Sequence, residues 1–291
     1  MSFNGKLCVA VASGKGGTGK TTIAANLAHV AASTGCQVSY LDCDVEEPNG
    51  HIFLKPVIEK TLPVSIPVPK IDESKCTVCG KCKEICQYNA IAVLGKTVLI
   101  FPNLCHGCGG CKLVCPTGAI SEEGREIGCV EEGTADGVRF VHGRLKVGEA
   151  MSPPIIRKVK QMLPDNGLAI IDAPPGTSCP VIQSVRGTDY VILVTEPTPF
   201  GLYDLRLAIE MLKKLGLAFG VVVNRADIGD NKVFEYCRYA GIDILLSIPN
   251  DRQITEAYSR GLLVADKIPY LATACKKLLE KLFEYKETIT T

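Results

Sequence analysis

The sequence predicts an α/β fold, a parallel sheet covered by helices on both faces, with a smaller α+β insert in its middle. Three observations lead there. Six apolar segments, LCVAVAS, VSYLDCD, LAIIDAP, YVILVTEP, AFGVVVNRA and DILLSIP, read as strands buried on both faces. Helical stretches such as residues 21–33 and 202–215 alternate with them. Between residues 61 and 124 the alternation stops, and eight of the 15 cysteines fall in that interval. The expected organisation is therefore a main domain in two parts, residues 1–60 and 125–291, interrupted by an insert at 61–124.

Composition bounds the function. With 291 residues, 46% of them hydrophobic, the chain can build a sizeable core. Its formal charge of +1 gives no field that would draw it onto DNA or anionic lipid, so neither a nucleic-acid partner nor a membrane surface is expected. The longest run of apolar residues and glycine, at 215–223, is nine residues, against the ~20 of a spanning helix. The first apolar run, residues 7–12, feeds into glycines and not into a cleavage site, so a cytoplasmic location is expected. Thiols there stay reduced, and clustered cysteines bind metal.

The first strand leads into Gly14-Lys15-Gly16-Gly17-Thr18-Gly19-Lys20-Thr21, followed by Thr22 and a helix, which is the P-loop pattern G-x-x-x-x-G-K-T in its required context. Glycines let successive N–H groups curl around phosphate oxygens, and the helix N-terminus adds partial positive charge. Lys20 is expected on the β- and γ-phosphates and the Thr21 hydroxyl on Mg²⁺. The second strand ends at Asp42 and Asp44 in LDCDVEEPN, and LAIID ends at Asp172 before Ala173-Pro174-Pro175-Gly176.

The middle segment opens with LPVSIPVPK, which reads as a proline-punctuated linker, and continues with short strands AIAVLG and TVLIFP. C-x-x-C-x-x-C-x-x-x-C occurs twice, as Cys76, Cys79, Cys82, Cys86 and as Cys105, Cys108, Cys111, Cys115. Residues 76–91 align with 105–120 at an offset of 29, matching the cysteines, Gly80 with Gly109, Lys83 with Lys112, Ala90 with Ala119 and Ile91 with Ile120. Three thiolates on a tight loop hold three irons of a cube, and in two-cluster bacterial ferredoxins each run's fourth cysteine serves the other cluster. The expected ligand sets are Cys76, Cys79, Cys82, Cys115 and Cys105, Cys108, Cys111, Cys86. Zinc competes, but all-cysteine zinc sites take two C-x-x-C pairs from separated segments. Residues 60–120 hold 7 lysines and 3 acids, and two oxidised 4Fe-4S centres of about −2 each would cancel that excess. His106 lies in the second loop, where it is either exposed or a donor to sulfur.

Lys15 inside the loop makes KGGTGKTT, which resembles the deviant-P-loop family of MinD, ParA, Mrp and the nitrogenase iron protein, parallel-sheet NTPases of the SIMIBI type. The resemblance covers nearly the whole chain and implies an Mg-ATP-dependent ATPase in which Lys15 reaches the phosphates of a second subunit, hence a homodimer on ATP binding. It implies that Asp44 positions the attacking water in switch I, Asp42 supports the Mg²⁺ shell, Asp172 is the Walker B acid and the Gly176 N–H senses the γ-phosphate. Asn224 and Arg225 match the adenine-contacting position, where an amide favours ATP over GTP, and Pro249 matches the segment flanking the base. Members with an inserted ferredoxin domain imply a redox partner, some resembling partners of the small "orange protein" complexes of anaerobes.

Cys8, Cys36, Cys43, Cys129, Cys237 and Cys275 read as small packing residues. Cys179 follows switch II, where the nitrogenase iron protein holds a shared cluster, but the second cysteine has no match. The last helix, over 270–286, puts Leu271, Cys275, Leu278 and Leu282 on one stripe, as a packed closing helix does. Three functions are in view: an ATPase coupling nucleotide state to electron transfer through two 4Fe-4S clusters, a nucleotide-switched scaffold with redox-sensing clusters, and an Fe-S carrier like Mrp. The C-x-x-C that carriers place downstream is absent, which weakens the third.

Overall fold

Strict alternation along the first strand sets up the architecture. In the computed structural model, which describes residues 5–290, Leu7, Val9 and Val11 of β1 (Lys6–Ala12) join one buried layer, and Cys8, Ala10 and Ala12 the other. The chain continues through α1 (Lys20–Ser33), β2 (Val38–Asp42), α2 (Gly50–Leu54) and β3 (Val57–Ile71). The cysteine segment holds α3 (Lys81–Ile85), β4 (Ile91–Leu94), β5 (Thr97–Ile100) and α4 (Gly110–Leu113). Then come β6 (Ile120–Ala135), β7 (Val138–Leu145), α5 (Pro153–Lys160), β8 (Gly167–Asp172), α6 (Cys179–Val185) and β9 (Tyr190–Thr195). The chain closes with α7 (Pro199–Leu215), β10 (Phe219–Asn224), α8 (Lys232–Tyr239), β11 (Ile244–Ile248), α9 (Arg252–Ser259) and α10 (Pro269–Thr290).

Nine strands form one sheet in the order β11-β10-β9-β1-β8-β2-β7-β6-β3. From β11 to β7 the pairing is parallel, and β6 and β3 add an antiparallel edge. All six expected strands lie in the parallel part. One layer packs Ile23, Leu27 and Ala31 of α1 and the Leu271, Cys275, Leu278, Leu282 stripe of α10 on the sheet; the other packs Ile155, Ile156 and Val159 of α5 and Leu205, Ile209 and Leu212 of α7. Alanines at 24, 25, 28 and 31 let α1 approach the sheet closely. Cys8, Cys43, Cys237 and Cys275 are buried and Cys36 and Cys129 half-buried, as packing residues are. Among the described residues, no helix is long and apolar enough to cross a membrane.

Residues 62–70, read above as a linker, instead form most of β3, paired with β6 from Val57↔Thr134 to Ile71↔Ile120. Their prolines mask the strand because they fall at 63, 67 and 69, alternate positions of the sheet's edge strand, where a missing N–H costs no ladder bond. Val64, Ile66 and Val68 point the other way and are buried. The ribbon passes through the boundaries expected at 61 and 124, and residues 72–119 hang from its outer end.

The internal repeat is visible as paired geometry in that segment. Asp72 N donates to Ala119 O and Phe101 N to Ala90 O, both at 2.8 Å, so equivalent positions of each half bind the other half. Gly80 (φ 80°) and Gly109 (φ 73°) sit left-handed at the N-caps of α3 and α4, a conformation glycine adopts without strain.

Candidate functional site

The P-loop runs from the C-terminal end of β1 to α1, as expected. Gly17 and Gly19 have φ of 78° and 97°. A Cβ on Gly14 would lie 2.4 Å from Asp204 O, and one on Gly19 2.6 Å from Asn224 Nδ2, so neither tolerates a side chain. α1 has no side-chain N-cap and no acid in its first turn, which leaves its first N–H groups and partial positive charge for an anion. Gly16 and Gly17 are exposed, while Thr21 and Thr22 are half-buried at the start of α1, Thr22 O accepting from Asn26 Nδ2. Thr18 Oγ1 is buried without a hydrogen-bond partner.

Lys20 is brought to the acids that the sequence singled out. Its Nζ lies 3.8 Å from Asp44 Oδ2 and 3.9 Å from Asp172 Oδ1. Those are charge contacts too long for hydrogen bonds, and Asp172 Oδ1, on a fully buried residue, has no hydrogen-bond partner. Its other oxygen accepts from Tyr40 OH at 3.0 Å. Burial pushes the Asp44 carboxyl up to about 6, Lys20 opposing and Asp172 adding to the shift. Asp42, level with Asp172 on the neighbouring strand, is also pushed up, first by burial and then by Asp172. Three clustered acids with one lysine form an electronegative site, and the bare Asp172 oxygen fits a cation's water shell or a nucleotide's metal.

Asp42 has a further task. Its Oδ1 accepts from Asp44 N at 3.0 Å and its Oδ2 from Gly50 N at 2.9 Å, so the carboxylate pins the loop after β2 from beneath. Gly176 N–H donates to Ser13 O at 2.9 Å, which ties the loop after β8 to the P-loop. Asn224 Nδ2 donates to Thr18 O at 2.9 Å and its Oδ1 accepts from Arg225 N at 3.0 Å. Arg225 takes a left-handed φ of 50°. Pro249, exposed after β11, precedes Asn250, whose N–H donates to Asp227 Oδ1, so this segment joins the loop after β10.

Two residues absent from the sequence reading matter here. Glu196 Oε2 lies 3.2 Å from Lys15 Nζ and its Oε1 accepts from Arg225 Nη1 at 2.9 Å, so one nearly buried carboxylate holds both cations. Tyr40 orients Asp172. Glu196 lies just past β9 at the sheet's C-terminal edge, where ligands bind in α/β folds, but no motif marks it. Tyr40 is two residues before Asp42 in a strand, and only burial reveals its role.

The eight clustered cysteines line two cavities. The first is walled by Cys76, Cys79, Cys82 and Cys115, and the second by Cys86, Cys105, Cys108 and Cys111. Each run thus contributes three thiols to one cavity and its fourth to the other. Among the described residues no three His, Cys, Asp or Glu gather as ligands of a single ion. The thiols are distributed around cavity walls, a disposition that suits the corners of a multi-iron cube. His106 is exposed and stacks on Tyr88, with ring centroids 3.7 Å apart, at the second cavity. Cys179 is exposed at the start of α6.

A model of the CobQ/CobB/MinD/ParA nucleotide binding domain matches residues 9–264. An uncharacterised protein of Methanocaldococcus jannaschii is 35% identical over 280 residues, 95% of this chain and 96% of that one. An iron-sulfur cluster carrier protein of Pyrococcus horikoshii is 27% identical over 303 residues, covering 95% of this chain and 85% of its own. The septum site-determining protein MinD of Pyrococcus horikoshii, solved with Mg-ADP, superposes with a TM-score of 0.60 at 20% identity, over 95% of this chain and 96% of that one. Domain match and shared backbone agree with the loop and strand-end acids, and the chain belongs to the CobQ/CobB/MinD/ParA family of nucleotide-binding P-loop ATPases.

Proposed function

We propose that the protein is a dimeric Mg-ATPase carrying two 4Fe-4S clusters, in which nucleotide state controls electron transfer to a redox partner. The observation that carries this reading is the sorting of the eight cysteines, three plus one, into two four-thiol cavities on a MinD-type fold. Residues 72–119 form the cluster-bearing module, and the β3–β6 ribbon joins it to the ATPase unit.

Lys20 and the N–H groups of the loop and α1 bind the phosphates, and the Thr21 hydroxyl, with Asp172 and Asp42 behind it, holds the metal shell. When bound, Mg²⁺ would supply charge neutralisation at the phosphates and the 4Fe-4S clusters would supply one-electron redox chemistry. Ionised Asp44 orients the attacking water. Lys15 leaves Glu196 to reach the nucleotide of a second subunit, which makes association depend on ATP. Gly176 N–H exchanges Ser13 O for a γ-phosphate oxygen, a rearrangement that moves switch II.

The test is anaerobic. Purified protein should contain about eight iron and eight acid-labile sulfide per chain. Cys115→Ser should perturb the centre of Cys76, Cys79 and Cys82, and Cys86→Ser the other. Reduction of a one-electron acceptor by the reduced protein should accelerate with Mg-ATP. Transfer indifferent to ATP would favour the nucleotide-switched scaffold. The carrier relatives support cluster delivery as a second reading, and transfer of iron and sulfide to an apo-ferredoxin would identify it.

A further inference from the structure

The two cysteine cavities are placed differently with respect to the P-loop unit. Pro67 and Pro69 of β3 wall the second cavity, whereas the first is walled by Ile71 and Ile120 at the ribbon's outer end. The second cysteine loop is pressed onto the strand: a Cβ on Gly107 would lie 3.0 Å from Pro67 O and 3.3 Å from Ile66 Cβ. Cys105 packs against the large buried layer that contains Val64, Ile66 and Val68. Cys82 and Cys115 of the first cavity pack in a small separate core with Ile91 and Ile120, which Cys86 and Cys111 of the second cavity also touch; Cys105 alone of the eight packs against the large layer.

Packing continues from Cys105 to the nucleotide site. Ile66, Ile155, Val159 and Val45 belong to the same buried layer. A Cβ on Gly143 of β7 would lie 2.6 Å from both Ile155 Cγ2 and Val45 Cγ1, so α5, β7 and the switch I loop interlock there without slack. Leu145 N donates to Val45 O at 2.8 Å. Val45 is the neighbour of Asp44, which faces Lys20.

The geometry points to a division of labour: the cavity of Cys86, Cys105, Cys108 and Cys111 is the inner, nucleotide-responsive site, and that of Cys76, Cys79, Cys82 and Cys115 is the outer site that exchanges electrons with the partner. The electron-transfer half rests on the function proposed above; the mechanical half needs only the apolar layer. A shift of Asp44 on nucleotide binding moves Val45, and close packing passes the displacement through α5 and β3 to Cys105. The first loop has no cysteine against that layer and meets the second only through the small core around Ile91 and Ile120, so less of the displacement reaches it.

Hydrogen exchange on the full anaerobic protein, with no nucleotide, with Mg-ADP and with a non-hydrolysable Mg-ATP analogue, tests the division. With the analogue, amides of residues 103–110 should exchange at least about threefold more slowly, while those of 74–81 change by less than about 1.5-fold. In Ile155→Ala the response at 103–110 should fall by at least about half while protection of the P-loop persists. Equal responses in both loops, a response confined to 74–81, or none at 103–110 while the P-loop is protected would overturn the proposal. In the reduced protein, the paramagnetic signal perturbed by Cys108→Ser should shift with nucleotide and that perturbed by Cys79→Ser should not; the reverse pattern also overturns it. Iron analysis that finds no clusters would sink the redox function instead, and the exchange data would still decide which loop answers the nucleotide.

Discussion

Glu196→Gln should make the ATP-bound protein dimerise more tightly. In the single chain Glu196 holds Lys15 at 3.2 Å, with side-chain exposures of 9% and 33%. Coulomb attraction at that distance is about 5 kcal/mol at an effective dielectric of 20, before desolvation. Lys15 is one-third open to water, so the net hold is nearer the 0.5–1 kcal/mol typical of screened pairs. A symmetric dimer in which both lysines cross must break two such contacts, a cost of about 1–2 kcal/mol that the amide removes, so its dissociation constant should fall about 5- to 30-fold. Glutamine still accepts from Arg225, which keeps the loop after β10 in place. Sedimentation with a non-hydrolysable Mg-ATP analogue measures the constant, and Mg-ADP should leave both forms unassociated. A constant unchanged within about twofold, or a weaker dimer, would refute the idea that Glu196 parks a lysine needed in trans.

In the proposed function Asp44, pushed up to about 6 by burial, orients water in its ionised form, so kcat/KM for ATP hydrolysis should fall as pH drops through about 6. The folded state then binds the Asp44 proton more tightly than the unfolded chain. Stability of the nucleotide-free protein should therefore decline as pH rises from the ordinary 3.8 towards about 6, and Asp44→Asn should lessen that slope in pH-dependent melts, Asp42 supplying the remainder. Asn224→Ala removes the bond to Thr18 O and should weaken ATP and GTP binding alike by about tenfold, as expected for loss of roughly 1–1.5 kcal/mol. Titration calorimetry showing a loss confined to ATP would instead assign the amide to adenine.

How legible each part was follows from how local its physics is. Strands buried on both faces, such as β1 and β8, are written as continuous apolar runs, so the parallel sheet could be read directly. The edge ribbon could not, because prolines at 63, 67 and 69 are breakers in any local reading and become harmless only once β6 fixes which side of β3 is unpaired. The pinning of the loop after β2 by Asp42 was equally hidden, since Gly50 is eight residues from its acceptor.

The sequence by itself determined the phosphate loop, the acids that end β2 and β8, and the grouping of cysteines, because spacing along the chain fixes which backbone groups and thiols can curl around one ligand. Only the tertiary structure decided that Glu196 holds Lys15, that Asn224 braces the loop, and that Cys105, alone of the eight clustered cysteines, packs against the large buried layer. Those contacts join residues up to 206 positions apart, as between Asn224 and Thr18, and their partners are chosen by strand order and packing, which no local pattern encodes.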